Sequence, residues 1–171
     1  MQRFSYLRAL LVLLACMTAL AAMANDPSGL SGTYGYVPDQ SSDVPRAIEK
    51  AVEKMSFIKR PIARGRLAKT NTPYQRVRIE MGASEVEITF DDRKPILMPI
   101  NGRPIKWTRD DGEVFDVSAT LDGSKLVQTY KAEDGTRVNA FSKDSSGSLR
   151  LEVEVSSPQL PRPLKYVLVY R

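Results

Sequence analysis

Between Tyr74 and the C-terminus the chain is cut into short segments by turn signals at a nearly constant step, and no other feature restricts the fold so strongly. The signals are Gly82-Ala83-Ser84, Asp91-Asp92-Arg93, Asn101-Gly102, Asp110-Asp111-Gly112, Asp122-Gly123-Ser124, Glu133-Asp134-Gly135, Ser145-Ser146-Gly147 and a Pro-rich stretch over 157–163. Turns spaced by about 8 to 12 residues belong to antiparallel meanders, sandwiches or barrels. Asn101-Gly102 has the composition of the positive-φ pair in a type I′ hairpin turn.

Inside the segments, apolar and polar residues alternate. Val77, Ile79 and Met81 oppose Arg76, Arg78 and Glu80; Val86, Ile88 and Phe90 repeat the pattern; Leu149, Leu151, Val153 and Val155 oppose Arg150, Glu152 and Glu154. Successive side chains of a strand point to opposite faces, so these strands bury one face and wet the other. Nine strands are expected after Tyr74, closing with "LKYVLVY", and one before it in "SGTYGYV".

Between those strands the texture changes. "SSDVPRAIEKAVEKM" offers Ser42 or Asp43 as a cap, Pro45 in the first turn, and Ala47, Ile48, Ala51, Val52 and Met55 on one side, the pattern of an amphipathic helix. A second short helix is expected from Pro61 through "PIARGRLAKT", weakened by about 1 kcal/mol at Gly65 relative to Ala. The expected fold is mainly β: an antiparallel up-and-down barrel of about ten strands, with a helix-turn-helix lid over about 43–70. Ten strands in an open sheet leave exposed edges, and closure removes them.

The N-terminus reads as a secretory signal peptide over 1–24, with Arg3 and Arg8 ahead of the uncharged "ALLVLLACMTALAAMA" and a small-x-small site at Ala22-Met23-Ala24. The apolar run is short for a membrane span. "LLAC" around Cys16 also resembles a lipobox, although the residues after Cys16 stay apolar where a lipoprotein linker is usually polar. The expectation is an exported protein, periplasmic or secreted, with acylation at Cys16 as the alternative. A single domain over 25–171 follows, long enough to bury a core without staples.

Composition excludes several chemistries. Histidine is absent and Cys16 is the sole cysteine, so neither a Ser-His-Asp nor a Cys-His arrangement can be built once 1–24 are removed. Glu85 with Glu87, and Glu152 with Glu154, share a face about 7 Å apart. They alternate with core-seeking residues and are expected to face water. Asp91-Asp92 and Asp110-Asp111 sit in turns where they bond to local backbone, and calcium would need a denser acidic loop. Phosphate-cradling glycine patterns are missing. No catalytic role, metal or cofactor is expected.

The order strand, helix-turn-helix, nine-strand meander resembles that of the fatty-acid-binding proteins, which belong with the lipocalins in the calycin group. The resemblance covers residues 30–171 and lies in layout. Gly32-Thr33-Tyr34 stands where those families open with Gly-x-Trp. Leu168-Val169-Tyr170 stands where fatty-acid-binding proteins carry the Arg-x-Tyr that grips a carboxylate, so that Arg is missing here. The resemblance implies a ligand cavity in the barrel and a helical lid over its mouth.

Candidate ligand-binding residues follow from polar and aromatic side chains on the strands, because ligand pockets pair apolar walls with a few polar groups. In "KLVQTYK", Leu126, Gln128 and Tyr130 share a face. In "TRVNAFS", Val138 and Ala140 oppose Arg137, Asn139 and Phe141, and the inward face stays open. Gln128 and Asn139 line a wet interior or face solvent; Trp107, Phe115, Tyr130 and Tyr166 stack on a ligand or fill the core.

The remaining feature is charge. Seven basic residues and no acid fall within 56–78, and Lys54 makes eight between Glu53 and Glu80. Arg76 and Arg78 belong to the wet face of a strand. Lys59, Arg60, Arg64, Arg66 and Lys69 belong to the lid and are candidates for contacting an anion. With Ile62 at zero, Arg66, Arg64 and Lys69 fall near about 40°, 200° and 340°, so these charges ring the helix. They keep a lid soluble, touch an anionic membrane surface, or meet an anionic ligand headgroup. Export disfavours nucleic acid, which is not an expected partner. The main expectation is a monomeric binding protein for a small apolar or amphipathic, lipid-like ligand; the alternative is a solid barrel that docks an anionic surface or partner through its basic lid.

Overall fold

Alternation in the sequence becomes alternation in burial. The computed structural model describes residue 26 and residues 28–171, and the expected signal peptide and Cys16 lie outside the described residues. Among the described residues there are ten strands: β1 (Gly32–Gly35), β2 (Arg76–Met81), β3 (Glu85–Phe90), β4 (Ile96–Pro99), β5 (Ile105–Thr108), β6 (Val114–Asp122), β7 (Lys125–Lys131), β8 (Thr136–Lys143), β9 (Leu149–Ser156) and β10 (Leu164–Tyr170). A 3-10 turn at Pro38–Gln40 and two helices, α1 (Val44–Val52) and α2 (Lys59–Thr70), lie between β1 and β2.

The strands pair antiparallel as β1-β2-β3-β4 and β5-β6-β7-β8-β9-β10. Two seams join these sheets. Gly35 and Arg171 exchange backbone hydrogen bonds of 2.7 Å, Val37 N–H donates to Val169 O at 2.9 Å, and Tyr36 bridges Tyr170. Across the other seam Asn101 bridges Thr120, and Gly102 N–H donates to Ala119 O at 2.9 Å. No ladder joins β4 directly to β5 among the described residues.

The Asn101-Gly102 turn departs from the type I′ expectation. Gly102 has φ 82°, but Asn101 keeps negative φ. Its backbone is committed to the bridge with Thr120, and its side-chain Oδ1 accepts from Arg103 N–H at 3.0 Å, which fixes an Asx turn instead.

Side chains fill the middle of the barrel. Val77, Ile79, Val86, Ile88, Met98, Val117, Ala119, Leu126, Phe141, Leu149 and Leu151 have no accessible surface, so no water-sized void touches them. The barrel interior is therefore a packed core over this zone.

Helix α1 starts at Asp43, whose Oδ1 accepts from Arg46 N–H at 2.9 Å, and it buries Val44, Ile48, Ala51 and Val52. Helix α2 starts two residues earlier than Pro61 and buries only Leu67, the rest of its apolar face being sparse. Glu53, just past α1, pairs with Arg162 at 3.0 Å in the turn before β10, which ties the lid to the barrel. Among the described residues no helix is long and apolar enough to cross a membrane.

Candidate functional site

The helices cover one end of the barrel, and a polar network runs from that end into the core. The register settles which face of β8 points inward: Gln128 pairs with Asn139, Tyr130 with Arg137, and Leu126 with Phe141. Gln128 and Asn139 are buried, with 0% and 1% of their surface exposed, so both face the interior.

Gln128 Nε2 donates to Met98 Sδ at 3.5 Å, and Asn139 Nδ2 donates to Gln128 Oε1 at 3.0 Å. Arg137 Nε donates to Asn139 Oδ1 at 2.9 Å, and its Nη1 donates to Asn71 Oδ1 at 3.0 Å and to Thr70 O at 3.3 Å. Tyr166 OH accepts from Arg137 Nη2 at 3.3 Å and donates to Asn71 Oδ1 at 3.0 Å. Asn71, buried just past the end of α2, donates through Nδ2 to Leu67 O at 2.9 Å. Burial pushes the Tyr166 phenol up, and the Arg137 guanidinium beside it only partly offsets that.

Arg137 thus points inward with neutral partners alone. Among the described residues no carboxylate lies within ion-pair distance of it. A half-buried cation held by amides, a carbonyl and a phenol keeps its net charge, and the interior amplifies its pull on an anion.

Aromatic rings adjoin it. Trp107, Phe115 and Tyr130 form a triangle with centroids 5.6 to 6.1 Å apart, two of the three contacts being edge-to-face. Arg109 lies 5.2 Å above the Phe115 ring and is paired with Asp111 and Glu113. That pairing holds the Asp111 carboxyl at about 2. Trp107 and Phe115 remain half-buried, whereas Tyr130 is buried. On the neighbouring sheet Tyr74 packs on Phe90 at 4.5 Å with Arg93 at 5.2 Å from its ring.

The six expected ligand-binding residues divide into this network (Gln128, Asn139, Tyr166) and this triangle (Trp107, Phe115, Tyr130). Sequence reading missed Arg137 and Asn71. Arg137 shares a strand face with Asn139 two residues on, a signal already present in the alternation. Asn71 gave no pattern, because it acts by ending a helix inside the barrel mouth.

The lid charges sort into two sets instead of one ring. Arg60 Nη2 donates to Glu53 O and to Met55 O, holding the turn between α1 and α2. Arg64 pairs with Glu49 of α1. Lys59, Arg66 and Lys69 are exposed, with no ion-pair partner among the described residues.

The carboxylate pairs lie outside the barrel. Glu152 bonds to Lys125 at 3.0 Å and to Arg150, and Glu154 to Lys165 at 2.9 Å; the hydrogen bond from Lys125 leads the causes that lower the Glu152 carboxyl. Glu85 is exposed and Glu87 half-buried. No group of three metal-binding side chains occurs among the described residues.

A mainly β, ten-stranded antiparallel barrel with a helix pair after its first strand is a calycin-type fold. No protein-family model matches the chain, and no curated protein matches it. Solved structures do. A REP1-NXSQ fatty acid transporter superposes with TM-score 0.53 at 16% identity, over 83% of this chain and 94% of that one. A secretary abundant heat soluble (SAHS) protein from Ramazzottius varieornatus gives 0.56 at 9% identity, over 84% and 94%. A Schistosoma mansoni fatty acid binding protein in complex with arachidonic acid gives 0.53 at 15% identity, over 85% and 97%. At such identities the likeness is one of fold.

Proposed function

We propose that this chain is a non-catalytic binding protein that takes a small amphipathic ligand with an anionic head, a long-chain carboxylate being the simplest case, at the helix-covered end of its barrel. Arg137 carries this reading: it is an inward guanidinium without a carboxylate, one cross-strand position from Tyr130. A ligand carboxylate would satisfy its charge with the fork geometry that guanidinium favours. The Trp107, Phe115 and Tyr130 rings offer the apolar wall for the chain that follows. The packed middle of the barrel limits the depth, so the ligand lies between lid and core. Two of the similar structures are named for fatty acids, which supports the same chemical class. In this reading residues 1–24 direct export, no cofactor takes part, and the protein acts as a monomer.

Trp107 is the sole tryptophan and serves as the reporter. Purified, delipidated protein titrated with a long-chain carboxylate should change the Trp107 emission in a saturable way. Arg137→Gln should weaken the carboxylate at least tenfold while leaving an alcohol of equal chain length unchanged, since a charge-assisted bond contributes about 1.5 to 3 kcal/mol. Equal affinity for carboxylate and alcohol in the parent protein, or no Trp107 response to either, overturns the reading.

A further inference from the structure

Three free cations of α2, Lys59, Arg66 and Lys69, lie on one face together with exposed apolar side chains. Phe57, Ile58 and Ile62 expose 84%, 63% and 59% of their surface, the three highest values among the exposed large apolar residues. Ile58 already has helical backbone angles, so it extends α2 by one position. With Ile62 at zero, Ile58, Lys69, Arg66 and Lys59 fall at about 320°, 340°, 40° and 60°, an arc of about 100°. Arg60 and Arg64 fall at about 160° and 200°, on the side that faces α1, where their internal partners hold them. Gly65, at about 300°, borders this arc and meets nothing within 4 Å.

We infer that this face docks on an anionic lipid bilayer. A protein partner of unspecified shape would need complementarity that a short arc bordered by a glycine does not offer. A bilayer needs only apolar side chains that enter the interface and cations level with the headgroups. The arc supplies both: Ile58 and Ile62 project from it, Phe57 is exposed in the turn just before the helix, and Lys59, Arg66 and Lys69 flank the two isoleucines with no acid in the helix. The acids nearest in sequence, Glu49 and Glu53, are turned to Arg64 and Arg162. Charge complementarity therefore favours a negative surface over a second copy of this chain, whose lid would carry the same charge. The inference is independent of the ligand reading, since no residue of the docking face belongs to the Arg137 network.

The test uses the chain from Asn25 onward, which holds every element of barrel and lid, sedimented with phosphatidylcholine vesicles with and without phosphatidylglycerol. Binding should require phosphatidylglycerol and fall steeply as salt rises. Lys59→Gln, Arg66→Gln and Lys69→Gln combined should lower partitioning about a hundredfold, roughly fivefold per charge. Phe57→Ser with Ile62→Ser should lower it at least tenfold, while Arg103→Gln, exposed at the opposite end of the barrel, should leave it unchanged. Circular dichroism and thermal unfolding should match the parent for every variant. Equal binding to pure phosphatidylcholine, or undiminished binding by the triple variant, overturns the inference. So does an apolar variant that turns a dimer into a monomer in sedimentation velocity while lipid binding persists, because the face then belongs to a second copy.

Discussion

Asn71 Oδ1 accepts hydrogen bonds from both Arg137 Nη1 and Tyr166 OH, each at 3.0 Å, although these donors lie 66 and 95 positions further along the chain. One amide thus ties the end of α2 to β8 and β10. Removing its side chain leaves the buried Tyr166 hydroxyl proton without an acceptor, leaves Arg137 Nη1 only Thr70 O, and breaks the bond to Leu67 O, whereas removing the Tyr166 hydroxyl leaves only Nη2 of the half-buried Arg137 without an acceptor. Asn71→Ala should therefore cost about 2 to 3 kcal/mol and Tyr166→Phe about 1 kcal/mol. Urea unfolding monitored at Trp107 measures both, and a smaller loss for Asn71→Ala than for Tyr166→Phe would refute the assignment.

Gln128 and Asn139 form the inner end of the same network, buried among Met98 and Leu126. Gln128→Leu alone leaves the Asn139 amide without its acceptor and should cost about 1 to 3 kcal/mol; Asn139→Leu alone should cost a similar amount. Replacing both removes the orphan between the two amides and leaves only the Arg137 Nε loss already counted in Asn139→Leu, so the double variant should be more stable than the summed single losses by about 1 kcal/mol or more. A strictly additive cycle would show that the two amides act separately.

Much of this architecture is legible in the sequence because period-two alternation and turn chemistry are local. The nine segments after Tyr74 correspond to β2 through β10, and the Asp43 cap and Pro45 position place α1. The interior of β8 was not legible. "TRVNAFS" carries polar and apolar residues on both faces, and only its pairing with β7 brings Arg137, Asn139 and Phe141 inward. Asn71 was invisible for a related reason: a helix-ending amide becomes part of a site only when a distant strand supplies the donors. The lid charges looked like a ring because periodicity alone cannot tell that Arg60 and Arg64 are consumed by carbonyls and by Glu49.

Arg60 clamps the turn between the helices, and Asp43 caps the first of them. Arg60→Ala should release the Glu53 and Met55 carbonyls and loosen α2, while Asp43→Ala should cost about 1 kcal/mol by leaving the Arg46 N–H without its acceptor. Native-state hydrogen exchange should show faster exchange in α1 and α2 for both variants and unchanged protection in β7, β8 and β9. Accelerated exchange in those strands would mean that lid and barrel open as one unit.

Alkaline pH should reveal the buried phenols of Tyr130, Tyr166 and Tyr170. Tyr130, Tyr166 and Tyr170 are all held above the ordinary phenol value of 10.0, in each case chiefly by burial. Above pH 10 the unfolded chain loses these three protons and the folded chain keeps them, so the folded state binds more protons and stability falls as pH rises. Their stabilising effect is complete below pH 10 and is lost as pH rises further, each group contributing up to about 1.4 kcal/mol per pH unit in that range. Absorbance at 295 nm should therefore show fewer tyrosinates in the folded protein than in the denatured one above pH 10, with Tyr130, Tyr166 and Tyr170 making a deficit that approaches three as the unfolded phenols complete their ionisation. The deficit should vanish in the same pH interval in which circular dichroism reports unfolding. Ionisation of Tyr130, Tyr166 and Tyr170 while the β signal is intact would contradict the burial on which the packed core rests.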